Sequence, residues 1–158
     1  MTATTGIGWD SHRLVAGRPL ILGGVAIEHD LGLTGHSDAD VLTHAIIDAL
    51  LGAAALGDIG QHFPDTDPRY AGADSMALLR TVVATVAEHG FTIEHVDSTV
   101  VMERPKLAPY RDAVRESLAR ALGLATSGVS VKATTGEGMG FVGRREGVAA
   151  MAVATLVV

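Results

Sequence analysis

Residues Val148–Val157 read Val-Ala-Ala-Met-Ala-Val-Ala-Thr-Leu-Val, apolar at adjacent as well as alternate positions. A strand of that kind is buried on both faces and needs two covers. The stretch Phe91–Met102 alternates well enough for a strand and shares this character. In a chain of 158 residues, helices can supply one cover, and the second points to an oligomer. The apolar runs Ala45–Leu56 and Gly147–Val158 are too short to cross a bilayer, and Asp48 interrupts the first. No membrane span is expected. The N-terminal residues lack the basic-then-apolar pattern of a secretory leader, so the expected location is the cytoplasm.

Glycines and prolines punctuate the rest. Thr5–His12 and Pro19–Ile27 read as strands, with Gly23-Gly24 marking a bulge or bend in the second. A loop over 28–35 precedes a helix from Asp38 to Leu56, with Ser37 as its N-cap, Asp40 as an acidic partner and Gly57 as its stop. The prolines and aspartates of 58–73 predict a long loop. Helices then follow over Ser75–His89, stopped by Gly90, and from Pro109 to Leu122, stopped by Gly123. Val129–Thr135 is a strand, and 136–143 is a glycine-rich loop before the last strand. The order ββ-α-α-β-α-ββ, with no repeat or linker, predicts one α+β domain over residues 1–158. Its mixed sheet would carry helices on one face.

Lys and Arg number 12 against 18 Asp and Glu, a net charge of -6, and no basic run stands out. That balance argues against nucleic-acid binding through phosphate neutralisation. An acidic chain that binds a phosphorylated ligand must use metals or backbone amides. The chain has no cysteine, which removes disulfides, thiolate nucleophiles and Cys-based zinc sites.

Asp10 and His12 sit at i and i+2 on the first strand and therefore share a face. With His44 on the first helix they form a carboxylate-plus-two-imidazole set suited to zinc with one open position. Asp40 and Asp48 lie one turn either side of His44, and either could orient its ring. The competing reading is ordinary caps and surface polar groups. His36 and Ser37 precede the helix, where free amides and the dipole attract anions; Ser37 also suits a plain cap. Lys132-Ala133-Thr134-Thr135-Gly136-Glu137-Gly138 leaves a strand for a turn whose amides and hydroxyls could meet phosphates, with Glu137 suited to Mg²⁺. It is not a Walker loop, and a flexible hairpin is the alternative. Arg104-Pro105-Lys106-Leu107-Ala108-Pro109 could read a base edge from a rigid backbone, or simply connect a strand to a helix.

Several segments occur together in one order: Gly8-Trp9-Asp10-Ser11-His12, His36-Ser37-Asp38-Ala39-Asp40, Asp48 to Gly60, Phe63-Pro64-Asp65-Thr66-Asp67, Arg104-Pro105-Lys106, Lys132 to Glu137 and Gly140-Phe141-Val142-Gly143-Arg144. In that order and spacing, over nearly the whole chain, the sequence resembles the 2-C-methyl-D-erythritol 2,4-cyclodiphosphate synthases, lyases of the non-mevalonate isoprenoid pathway. The resemblance implies zinc, or another divalent transition metal, at Asp10, His12 and His44. It implies transition-state stabilisation by His36 and Thr135. Asp58, Ile59 and Gly60, with Phe63, Asp65 and Asp67 on the next loop, would shape the pocket for the methylerythritol phosphate part, and Asp10, His12, His36 and Ser37 would also contact the substrate. Met102, Pro105, Lys106, Leu107, Ala133, Thr134, Thr135 and Glu137 would hold the cytidine diphosphate part, with Mg²⁺ or Mn²⁺ at Glu137. It further implies a homotrimer with sites shared between subunits, and the uncovered face of the sheet turned to the trimer axis. Phe141 and Arg144 near that axis would face an isoprenoid diphosphate. Gly136 and Gly138 stand where some relatives carry larger residues, which frees that loop. Glu103 puts a charge beside the cytidine segment.

Overall fold

β1, Ala3–Ala16, is the longest strand of the computed structural model, which describes residues 1–158. It pairs antiparallel with β7, Gly147–Val157, from Ala3 opposite Val157 to Arg13 opposite Gly147. Beyond β7 come β5, Thr92–Val101, and β6, Val129–Thr134, which run parallel to each other. β4, Leu31–Thr34, closes the other edge, and the sheet order is β4-β1-β7-β5-β6. β2, Leu20–Leu22, and β3, Val25–Ile27, form a separate hairpin. Three long helices complete the α+β domain: α1, Val41–Ala53; α3, Ser75–Glu88; and α4, Arg111–Leu122. Two single-turn helices, α2 at Ile59–His62 and α5 at Gly140–Gly143, lie in the segments read as loops.

The central packing event is α1 on β1. All of α1 is buried except Asp48 and Gly52. Gly6 and Gly8 on β1 let it approach closely: a Cβ at Gly6 would stand 2.1 Å from the Ala49 carbonyl oxygen, and one at Gly8 only 1.8 Å from that of Ala45. Only glycine removes the side chain at such a contact. Facing alanines at 45, 49 and 53 keep the helix surface low, so the sheet and helix backbones nearly touch. This seam sets the height of His44 above β1.

Three expectations are corrected. The 19–27 segment is a tight hairpin, because Gly23 and Gly24 adopt φ of +59° and +77°, the left-handed pair that a type I′ turn requires. Residues 31–34 pair with β1. The first helix starts at Val41, and its N-cap is Asp40, not Ser37. Ala39 at φ +59° turns the chain out of the helical path, so Ser37 lies outside the helix.

Asp40 joins these pieces. Its buried carboxylate accepts from Thr43 N (3.0 Å) and Gly23 N (3.0 Å) with one oxygen and from Gly24 N (2.8 Å) with the other. Burial raises its pKa, and those amides oppose the rise. Asp40→Ala strips the acceptor from backbone donors in a dry interior, where each orphan costs ~1–3 kcal/mol. We expect a loss of about 3 kcal/mol, which lowers Tm by roughly 6–12 °C in a chain of this size. An unchanged thermal melt would contradict this role.

The helices cover one face of the sheet. On the other, Ile7, Trp9, Met151 and Val153 stay exposed, and the register places Ile7 opposite Val153 and Trp9 opposite Met151. This is the second apolar face that the β7 sequence demands, left uncovered by the chain itself.

Candidate active site

Asp10 and His12 point from β1 toward the helix layer, and α1 brings His44 over them. Asp10 Oδ2 lies 2.8 Å from His12 Nε2 and 2.9 Å from His44 Nδ1, and those two nitrogens are 3.2 Å apart. Four-coordinate zinc with ligands at ~2.0–2.1 Å separates its donors by roughly 3.3 Å, so the triangle is close to that size without rearrangement. The donor chemistry fits as well. His12 Nδ1–H donates to the Thr34 carbonyl at 3.0 Å, which leaves Nε2 as a lone pair facing Asp10 in the neutral ring. Burial pushes the Asp10 carboxyl up, but the hydrogen bonds and charge of His12 and His44 in their protonated forms outweigh it and hold it at about 2. Burial alone would lower the His12 pKa, whereas Asp10 raises it above the ordinary value. The site is thus a partly buried nest of negative character that favours a cation.

All three residues border a cavity of about 440 Å³. His36, Ser37, Ile59, Gly60, Phe63 and Asp65, all named from the sequence, border it too. Asp48, read from the sequence as a possible support for His44, lines it as well, as do Tyr70 and Leu78, to which the sequence reading assigned no place there. Leu78 read as a core position on α3, and nothing local to Tyr70 marks it. Phe63 meets Tyr70 edge to face at 5.4 Å between ring centres and forms an apolar wall.

The loops of this wall are tied to one another. Asp58 caps α2 in a reciprocal box with Gln61, and Asp48 accepts from Ile59 N at 2.7 Å. Asp67 caps the turn Pro68–Tyr70 and pairs with Arg69 at 2.7 Å, so its carboxylate turns toward Arg69. His36 Nε2–H donates to the Asp67 carbonyl at 3.0 Å. Neither the Asp40 nor the Asp48 carboxylate hydrogen-bonds the His44 ring; both are taken by backbone amides. The ring instead meets Ser75 Oγ at 2.7 Å and Ser37 Oγ at 3.2 Å through Nε2. Ser75 lies 31 residues from His44, beyond the reach of any periodicity.

The other predicted residues assemble elsewhere. Met102 N donates to the Thr134 carbonyl at 2.9 Å, and Glu103 accepts from Gly136 N, so the 102–107 and 133–137 segments lie side by side. Gly136 is tightly packed rather than free, since a Cβ there would come within 2.9 Å of Met139 O and Gly143 N. Thr135 Oγ1 accepts from Glu137 N at 3.1 Å, and Glu137 holds a φ of +55°. Phe141 borders a smaller recess near Arg13 and Gly147, while Arg144 pairs with Glu146 at 2.9 Å.

The two groups are far apart. Register puts Asp10 level with Ala150, Val100 and Ala133, three strand spacings or about 14 Å across the sheet. Within one chain, the Asp10–His12–His44 cavity and the 102–107/133–137 edge are separate surfaces.

Known proteins share this sequence pattern and fold. A family model described as the YgbB family matches residues 3–157. The chain is 64% identical over 151 residues to the 2-C-methyl-D-erythritol 2,4-cyclodiphosphate synthase of Salinibacter ruber, covering 96% of each. Among solved structures it resembles the bifunctional IspDF of Campylobacter jejuni, at TM-score 0.95 and 44% identity, covering 98% of this chain but 42% of that one. It also resembles a 2C-methyl-D-erythritol-2,4-cyclodiphosphate synthase solved in a CDP-bound form, at TM-score 0.89 and 41% identity, covering 97% of this chain and 99% of that one. The chain belongs to the YgbB family, alongside the 2-C-methyl-D-erythritol 2,4-cyclodiphosphate synthases.

Proposed function

We propose that the cavity beside Asp10, His12 and His44 is where this chain, a 2-C-methyl-D-erythritol 2,4-cyclodiphosphate synthase of the isoprenoid pathway, closes the ring of its product. The observation that carries the site is the convergence of one carboxylate oxygen and two ring nitrogens within 4.8 Å at the cavity wall.

The substrate is 4-diphosphocytidyl-2-C-methyl-D-erythritol 2-phosphate. Its 2-phosphate oxygen forms a bond to the β-phosphorus of the same molecule. The bond from that phosphorus to the oxygen bridging the α-phosphate breaks, and CMP leaves with the electron pair. No proton need be removed, because the attacking phosphate is ionised at neutral pH. The step therefore needs neither an activated serine nor a general base. The difficulty is the repulsion between two anionic phosphates and the entropy of folding a flexible substrate.

Zinc, or another divalent transition metal, held by Asp10, His12 and His44 would supply Lewis-acid polarisation of the β-phosphate. Glu137 is a single exposed carboxylate, which suits Mg²⁺ or Mn²⁺ completed by substrate phosphates and water. The walls at Ile59, Gly60 and Phe63, with Asp58, Asp65 and Asp67 on the same loops, fold the methylerythritol part. His36 and Ser37 meet its phosphate. The Thr135 hydroxyl proton is free to donate to the diphosphate, because its oxygen already accepts from Glu137 N. Met102, Pro105, Lys106, Leu107, Ala133 and Thr134 hold the cytidine part, a reading supported by the relative captured with CDP.

The separation of about 14 Å across four strands supports a site in which the cytidine edge of one chain serves the metal cavity of another. We assign a homotrimer, with the Ile7, Trp9, Met151 and Val153 face turned to its axis. Phe141 and Arg144 would meet an isoprenoid diphosphate there. Size measurement at micromolar concentration is expected to give three chains; a monomer would contradict the shared site. Product analysis tests the reaction: cyclic diphosphate and CMP in equal amounts support it. Linear or inorganic phosphate would make the chain a metal phosphohydrolase instead.

A further inference from the structure

The proposed metal triad needs both His44 and His12 to present bare nitrogens, and for His44 the structure supplies a device that does this. A neutral imidazole carries one N–H, and the partner of the outer nitrogen decides which. The outer nitrogen of His44 is Nε2, 2.7 Å from Ser75 Oγ. The Ser75 hydroxyl donates to Asp38 Oδ1, and Ser75 N donates to Asp38 Oδ2 at 3.0 Å. A carboxylate only accepts, so the one hydroxyl proton of Ser75 is committed to Asp38. Ser75 Oγ can therefore meet His44 only as an acceptor, so Nε2 carries a proton, and the neutral ring that a metal requires is then bare at Nδ1, the nitrogen 2.9 Å from Asp10 Oδ2.

We propose that Ser75 and Asp38 are positioning residues that lock His44 in the Nδ1-bare tautomer and aim it at the metal. The assignment rests on the metal reading of the triad. Ser75 is fully buried at the first turn of α3, so docking of that helix delivers the acceptor. The seam is reinforced by Asp38 N donating to Ala73 O at 3.0 Å and Gly72 N donating to His36 O at 2.7 Å. The same seam holds the loop of His36, so the metal ligand and the phosphate-facing histidine are set by one joint. Ser37 Oγ, at 3.2 Å, does not replace Ser75. It accepts from Ala39 N, and no carboxylate fixes where its own proton points. With Ser75 gone, Ser37 can donate to Nε2 and move the ring proton onto Nδ1.

Outer partners of metal-bound histidines typically change affinity by 10–100-fold. The test uses the full-length chain stripped of metal and titrated with zinc against a chelator, together with long-range ¹H–¹⁵N NMR of the histidine rings in the metal-free chain. Wild type is expected to bind one zinc per chain and to show His44 protonated at Nε2. Ser75→Ala is expected to bind zinc at least about 10-fold more weakly and to populate the Nδ1-protonated ring. Asp38→Asn should shift both readouts the same way, and Ser75→Thr, which keeps the hydroxyl, should restore both. A general loosening of the fold would not invert the tautomer or be rescued by threonine. If wild type binds zinc and Ser75→Ala binds it equally with Nε2 still protonated, this assignment fails and the metal site stands. A wild type that takes up no divalent transition metal would overturn the metal site and this assignment with it.

Discussion

Gly8→Ala is expected to be among the most damaging single methyl additions to this chain. The new Cβ would sit 1.8 Å from the Ala45 carbonyl oxygen and 2.9 Å from Ala49 N. Both are helix backbone, so no rotamer change relieves the clash, and α1 must lift from β1. Overpacking of ordinary core sites costs ~1–3 kcal/mol; a backbone clash at the central seam should exceed about 3 kcal/mol and lower Tm by about 10 °C or more. Lifting α1 also draws His44 away from Asp10, so zinc affinity should fall with stability. Gly52→Ala is the matched control. It lies on the exposed side of the same helix, with Gly6 Cα 3.9 Å from the new Cβ. There the helix propensity of alanine should stabilise by up to ~1 kcal/mol. Thermal melts of the two variants with opposite signs would establish the seam; a Gly8→Ala chain as stable as wild type would remove it from the account.

His44→Ala is the second. It removes one of the three ligands proposed for the metal. Lewis-acid stabilisation is worth several kcal/mol at a phosphoryl group, so turnover should drop by at least ~10³-fold. The fold should survive, because the ring lies at the cavity wall and Leu42, Ile46 and Leu50 still anchor α1 in the core. Circular dichroism unchanged with turnover lost is the expected pair of results. Ser75→Ala should differ in kind, with turnover recovering as zinc is raised, since all three ligands remain. Near-wild-type turnover by His44→Ala without zinc would contradict the role given to the triad.

What could be read from the sequence follows the range of the forces involved. Asp10 and His12 were legible as a pair because strand residues two apart share a face. The helices around 41–53, 75–88 and 111–122 carry their own periodicity, and Gly90 and Gly123 end theirs at φ of +88° and +70°. The double-faced β7 announced an apolar surface that helices do not cover, and Ile7, Trp9, Met151 and Val153 form it. The failures are long-range or stereochemical. Ser37 has the residue type of an N-cap, but the left-handed turn at Ala39 hands that place to Asp40. Asp40 and Asp48 have helical spacing to support His44, yet amides of the β2–β3 turn and of Ile59 claim them. The ring meets Ser75, itself held by Asp38, and only the docking of α3 brings Ser75 there. Gly6 and Gly8 looked like ordinary strand residues, because the helix they admit is forty residues away along the chain. The motif residues near 12 and 135 belong, by the resemblance, to a site shared between subunits, and the sheet holds them on separate surfaces of one chain.

The central claim is that a divalent metal at Asp10, His12 and His44 drives intramolecular ring closure. Phosphorus NMR of the purified chain with the cytidylyl substrate, Mg²⁺ and zinc, repeated after chelation, tests it most directly. We predict cyclic diphosphate resonances rising in step with CMP, abolished by chelation and restored by zinc. Cyclic product forming undiminished in the fully chelated sample would contradict the account.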